Sequence, residues 1–386
     1  MTRVCVVGVG LTDGPVAPGM SSTMLTAQAF VRALEDAGLD KSEVDGLASA
    51  GYGGMHEVML AEYFGITPRW LESTSVGGSS FEFHAHHAFR AIEAGDVETV
   101  AICYGSNQLS SSGRTLGTGG GGGRGGMMPG PMRYEFPTGL TLVGAYAMAA
   151  QRHMYQYGTT PEQLASIAVQ MREHAGRNPT AMYRDPITVD DVLGSKLVAD
   201  PLHKLDCCVI SDGGCCIILT TEERARDLEH RPVYVRGAAG GTTHHSIQGM
   251  ADMTTTAAAV AGPKAFAEAG ITPADVDVFQ MYDSFTYTVL VVLEDLGFAA
   301  KGEGGAFVAD GNLRLGGRLP TNTDGGGLSS THPGMRGLYL LCEGTRQLRG
   351  EAGDSQVAGA EIAVCSGSGG WLSTQGTVVL GTEPVR

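Results

Sequence analysis

The chain has 386 residues, 42% of them hydrophobic and 17% charged, with 58 glycines and a formal charge of -15. Such a composition is globular, and the length exceeds what one ordinary core needs, so two domains or two fused halves are expected. The acidic balance, with no run of Lys or Arg, excludes a nucleic-acid surface, and no apolar stretch reaches the roughly 18 residues of a membrane span.

The opening run MTRVCVVGVG reads as a buried strand and lacks the layout of a signal peptide, so a cytoplasmic location is expected. The segment Ala33 to Asp45 reads as a helix end, a terminating glycine, a short capped turn and an aspartate leading into a buried strand. Ser79 to Ala94 predicts a second helix. Gly95 ends it, and Asp96 leads to the strand VETVAICYGS, which carries Cys103. His84, His86 and His87 sit in this helix at spacings that do not focus on one ligand position, and they read as packing or surface residues.

An insertion near 110-132 follows, containing TLGTGGGGGRGGMMPGPM, too glycine-rich to pack as a regular element. No Lys-Ser/Thr and no helix start follow it at the spacing of a phosphate-binding loop. It reads as a surface loop ordered by a partner or subunit contact, or as a flap over a site. Helices are predicted over 141–158 and 161–176, the second with Thr160 as cap and Pro161 at its first position. The stretch LDCCVISDGGCCIILTT reads as two strands joined by a Ser-Asp-Gly-Gly turn. Adjacent strand residues face opposite sides, so the pairs Cys207-Cys208 and Cys215-Cys216 scatter their sulfurs, and no metal site is expected.

The later part repeats this layout. Ala265 to Asp277 matches Ala33 to Asp45, and a helix ending Ala-Gly-Asp354 leads to AEIAVCSGS with Cys365 where Cys103 stood. Two matches in the same order predict duplicated βαβ-rich halves, 1-228 and 229-386. A helix from Pro333 to Arg349 then corresponds to the one from Ser79 to Ala94. In twofold-related halves their N-termini converge near the middle, offering unpaired amides and partial positive charge to a carbonyl that becomes an oxyanion.

Four stretches occur in a telling order: Val76-Gly-Gly-Ser-Ser80, Tyr282-Asp-Ser-Phe285, Thr331-His-Pro-Gly334 and Cys365-Ser-Gly-Ser-Gly369. Together they resemble the thiolase superfamily, most closely its sterol-carrier-protein-type, or lipid-transfer, thiolase-like branch, over most of the chain. The resemblance implies an α/β protein with the thiolase-like five-layered αβαβα fold built from two duplicated halves. It implies a homodimer core acting on an acyl-CoA thioester, with no cofactor held in the chain itself.

The residues carry over unevenly. The family's nucleophilic cysteine opens the first central helix, seventeen residues before the glycine that ends it, and counting back from Gly95 reaches Gly78. Glycine has no side chain to acylate, and Ser79 reaches the position only by a shift of register. Tyr282 stands where the family has Asn or His, as a phenol able to donate to an oxyanion or exchange a proton, or as a core tyrosine. His332 falls on the histidine of the Gly-His-Pro motif. Tyr339, seven residues on, is expected on the same helix face, toward the pocket or packed in the core. Cys365 falls on the family's second, acid/base cysteine. Gly78, Ser79 and Gly367 are expected to line the thioester site.

A Claisen-type thiolase needs a covalent acyl intermediate, whereas retro-aldol cleavage of a β-hydroxyacyl thioester does not. The branch with a Tyr-Asp-Ser-Phe motif and no nucleophile is similar to the aldolases of bacterial steroid side-chain degradation. That similarity implies release of propionyl-CoA to leave a ketone, and a small zinc-ribbon/OB-fold partner protein that helps form the substrate site. Tyr282 and Tyr339 are then expected to move protons, with His332 polarising the thioester oxygen. Two alternatives stay open here: an acyltransferase or condensing enzyme working through Ser79 or Cys365, and a non-catalytic lipid-carrier subunit.

Overall fold

The computed structural model describes residues 2–51, 54–111 and 132–385. Most of the glycine-rich insertion therefore lies outside the described residues. The chain opens with the fully apolar strand β1 (Val4–Leu11), followed by β2 (Gly46–Ser49), β3 (Trp70–Glu72) and β4 (Val100–Ser106). A small hairpin of β5 (Leu197–Ala199) and β6 (Leu202–His203) precedes β7 (Gly213–Thr221). The later strands are β8 (Val233–Thr242), β9 (Val278–Met281), β10 (Ile362–Gly369) and β11 (Thr374–Gly381).

Apart from the hairpin, these strands form one nine-stranded sheet in the order β3-β2-β4-β7-β1-β8-β11-β10-β9. The order mirrors itself about the β1/β8 junction, where only Cys5–Tyr234 and Val6–Val233 pair. Two aspartates express the same duplication. Asp45, just before β2, accepts the amides of Glu98 and Thr99 at 3.1 and 2.8 Å, which fixes the approach to the parallel neighbour β4. Asp277, just before β9, accepts the amides of Glu361 and Ile362, both at 2.9 Å, and so fixes the approach to β10. A carboxylate that satisfies two otherwise unpaired amides is why both repeats keep Asp at this point.

The first central helix (Ser80–Ala94) and the second (Gly337–Arg349) pack against strands from both halves of the sheet. The helix Ser22–Ala37 covers β1, β7 and β4 on one outer side, and the helix Ala258–Ala269 covers β8 and β11 on the other. Helix, sheet half, central helices, sheet half and helix thus make the five layers. The large core lies around the central helices, and a second one lies beneath Ser22–Ala37. The expected helices after the insertion appear as Leu142–Tyr157 and Pro161–Arg177, the latter with Thr160 and Gln163 in a reciprocal cap.

Three expectations need correction. LDCCVISDGGCCIILTT yields one strand, not two, because the amides of Cys208, Val209 and Ser211 bond to Ser284, Gly327 and His332 carbonyls instead of to a sheet neighbour. The segment Cys207 to Asp212 is thereby laid along the loops of the later motifs. The first central helix starts at Ser80, after a tight turn over Gly77–Ser79. The second central helix starts at Gly337, not Pro333: Gly334 has φ +92°, and the buried Arg336 side chain bonds back to the Thr331 carbonyl at 2.6 Å. His332 therefore stands on a loop, and helical spacing does not relate it to Tyr339.

Candidate active site

The motif Tyr282-Asp-Ser-Phe285 leaves the end of β9 and precedes the buried helix Thr286–Asp295, so its side chains are held by strand and helix alike. The Tyr282 amide donates to the Ser366 carbonyl of β10 at 3.0 Å. Its ring reaches the start of the first central helix. A Cβ built on Gly78 would fall on the Tyr282 ring at Cε2 and Cζ, and would lie 2.5 Å from the Ser368 carbonyl. The nucleophile position is thus filled, by a phenol from the other half of the chain.

The Tyr282 hydroxyl lies 2.9 Å from Nε2 of His332, and the two rings meet edge to face with centroids 5.5 Å apart. Both residues are 5% exposed. His332 is fixed through its backbone, its amide donating to the Ser211 hydroxyl at 2.9 Å. The loop behind it is held by Asp283, which accepts the amides of Gly327 at 2.7 Å and Leu328 at 3.0 Å. Arg336, fully buried, lies 3.6 Å from Asp283 and binds both oxygens of Asp324 at 2.6 Å. Burial pushes the Asp283 carboxyl up to about 6, against the lowering pull of Arg336 and the two amides. The aspartate of the Tyr-Asp-Ser-Phe motif therefore shapes the His332 loop and stands outside the reacting centre.

The other expected residues separate. Ser79 is fully buried, its hydroxyl 2.7 Å from that of Thr374 and 3.3 Å from the Val76 carbonyl, with no histidine among these partners. Cys365 is fully buried in mid-strand, and its thiol points between β10 and the second central helix, 3.2 Å from the Leu340 carbonyl. Burial first, then the neighbouring Glu82 and Cys342, pushes that thiol well up, so it stays protonated. Gly367 faces Glu82, whose carboxyl occupies the space a side chain there would take.

Tyr339 lies on the second central helix, and its hydroxyl has no hydrogen-bond partner among the described residues. It lines a cleft of ≈220 Å³ together with Thr12, Thr180, Thr331 and Glu343. Burial pushes its phenol well above the ordinary range. No hydrogen bond joins it to Tyr282 or His332.

One neighbour of the site carried no signal in the sequence. Tyr146, from the helix Leu142–Tyr157, donates to the Gly370 carbonyl at 3.1 Å and packs its ring 4.6 Å from that of Phe285. Burial pushes its phenol up to about 12. It belongs to no motif, and only the path of its helix brings it to the end of β10. Among the described residues, Asp36, His230 and Glu351 have ligand-like spacing, but Asp36 is already paired with Arg349 at 2.8 Å.

The arrangement can exchange a proton between a phenol and an imidazole beside the starts of two helices, and it offers no nucleophile at the helix end. Residues 239–382 match the family described as Thiolase C-terminal domain-like. A steroid side-chain-cleaving aldolase of Thermomonospora curvata is 34% identical, over 98% of this chain and 97% of its own. The 17-hydroxy-3-oxo-4-pregnene-20-carboxyl-CoA lyase of Mycobacterium tuberculosis is also 34% identical, over 98% of this chain and 99% of its own. Among solved structures, the Ltp2-ChsH2(DUF35) aldolase superposes with a TM-score of 0.88 at 32% identity, covering 98% of this chain and 97% of that one. With near full-length relatives at this identity, and the whole chain superposing on a solved relative, the chain belongs to the thiolase superfamily, in its sterol-carrier-protein-type, lipid-transfer branch.

Proposed function

We propose that this chain is an aldolase that cleaves the Cα–Cβ bond of a β-hydroxyacyl-CoA thioester, a steroid side-chain thioester, releasing propionyl-CoA and a ketone. The observation that carries the reading is the Tyr282 ring seated where the nucleophile's side chain would stand, with its hydroxyl on His332. An acyl-enzyme has no atom to form on at Gly78, while a proton-transfer pair is in place.

In the step itself a base removes the proton of the β-hydroxyl, whose oxygen becomes the ketone carbonyl. The Cα–Cβ pair of electrons becomes the thioester enolate, and an acid returns a proton to Cα. Tyr282, relayed through His332, serves one proton transfer, and Tyr339 is the second phenol assigned to the other. His332 and the positive N-terminal ends of the two central helices stabilise the thioester oxygen as it gains charge. Gly78, Ser79 and Gly367 contribute backbone, not side chains, to this wall.

We assign the chain a small zinc-ribbon/OB-fold partner and a homodimeric core, working in the cytoplasm. The name of the solved aldolase, which pairs Ltp2 with ChsH2(DUF35), supports the partner. No described helix is long and apolar enough to cross a membrane. The test is turnover of 17-hydroxy-3-oxo-4-pregnene-20-carboxyl-CoA, with and without a co-expressed partner, with products identified by mass spectrometry. Propionyl-CoA and the ketone are expected. A covalent acyl adduct on the intact chain, or lipid binding with no turnover in the complex, would overturn the reading.

A further inference from the structure

Glu82 stands one helical turn beyond Gly78 in the first central helix and is 0% exposed. Neither of its carboxyl oxygens bonds to another residue among the described residues. A buried polar group without a partner is costly, and a charged one far more so, which makes this carboxyl an oddity that packing alone does not require. Burial keeps it protonated, well above the usual carboxylate range.

The surroundings are cut to its shape. A Cβ on Gly367 of β10 would fall on the Glu82 carboxyl, and one on Gly376 of β11 would fall on the Glu82 Cβ. A Cβ on Gly337, the first residue of the second central helix, would lie 2.5 Å from Oε2 and would overlap the Gly78 carbonyl. Three elements thus each give up a side chain around one acid. Two of them carry Gly337 and Gly367, and the turn before Glu82's own helix carries Gly78.

We propose that Glu82 is a positioning residue that sets the spacing between the starts of the two central helices and the end of β10, and so holds the wall on which the thioester enolate forms. The inference rests on the aldolase reading of the Gly78–Tyr282 site. A carboxylate here would oppose the positive helix starts that the enolate oxygen needs, so the neutral acid is the working form. Among the described residues, the titratable group that interacts with Glu82 is the Cys365 thiol on β10, itself neutral, while β11 and the second central helix present glycine.

Two measurements decide it. In thermal unfolding of the full chain, Gly367→Ala is expected to lower the midpoint by about 4 °C or more when Glu82 is present, and by less than half of that in a Glu82→Ala background. In turnover of the steroid thioester, Glu82→Ala is expected to lower kcat about tenfold with KM little changed, and Glu82→Gln to recover most of that loss. Glu82→Gln, which cannot ionise, is also expected to hold its kcat to higher pH than the wild type. Equal cost of Gly367→Ala in both backgrounds, or superimposable pH profiles for Glu82→Gln and wild type, would overturn the proposal. Should Tyr282→Phe keep full turnover, the aldolase reading fails on its own, and the unfolding cycle still decides the niche.

Discussion

The Tyr282 hydroxyl and Nε2 of His332 lie 2.9 Å apart, although their motifs are separated by 50 positions in the chain. Removing the hydroxyl while keeping the ring isolates its chemistry. Tyr282→Phe is expected to lower kcat by about 10²- to 10⁴-fold, the range of a lost acid/base group, with little change in the unfolding midpoint. Steady-state kinetics beside thermal unfolding check it, and wild-type turnover in the variant would remove the role.

Gly78→Cys restores the family's nucleophile in sequence but not in space. The new Cβ meets the Tyr282 ring and the Ser368 carbonyl. Overpacking of this kind costs about 1–3 kcal/mol, so a lower unfolding midpoint and no acyl adduct after incubation with acyl-CoA are expected. Intact-mass spectrometry reads the adduct directly.

Tyr339 and the cleft it lines call for a variant that parts catalysis from stability. Its hydroxyl has no partner among the described residues, so Tyr339→Phe loses no hydrogen bond to any of them. Equal or slightly higher stability is expected, by up to about 1 kcal/mol, together with a fall in kcat from the lost proton carrier. A variant with unchanged kcat would make Tyr339 a packing residue.

Cys365 donates to the Leu340 carbonyl and is held as a neutral thiol. Cys365→Ala is expected to keep kcat and to lose about 1 kcal/mol of stability through the small void it leaves. Native-state alkylation of this thiol is expected to be slow, as measured by peptide mass mapping after brief exposure to iodoacetamide.

Asp283 gives a pH dependence of stability with a definite sign. Its carboxyl is raised from 3.8 to about 6 in the folded chain, so the fold binds the proton more tightly than the unfolded state does. Stability from this group is full below the unfolded value and falls as pH rises through the folded one, by about 3 kcal/mol in all. Asp283→Asn is expected to be less stable, because the His332 loop loses its anchor, yet flatter across the window from about pH 4 to 6. Denaturant unfolding at several pH values measures both effects.

The repeat of Ala33–Asp45 in Ala265–Asp277 was legible because each helix end, glycine and aspartate acts locally, and the mirrored sheet order follows from it. The absent nucleophile was legible too, since a position counted from Gly95 needs no coordinates. Local spacing misled where the chain turned on distant contacts. Spacing alone puts His332 and Tyr339 on one helix, whereas the Arg336 side chain, bonded to Thr331 and Asp324, sits at a turn and the helix begins only at Gly337. Tyr146 and Glu82 carried no motif at all, and their meaning lies in what packs against them.

By itself, then, the sequence determined the duplicated α/β fold, the missing cysteine and the motifs that replace it, since those follow from short-range pattern and residue chemistry. Only the tertiary structure decided that Gly78 is empty because Tyr282 fills its space, and that Cys365 faces away into the core. Both are matters of which surfaces meet across the two halves, and close packing between residues hundreds of positions apart leaves no periodic trace along the chain.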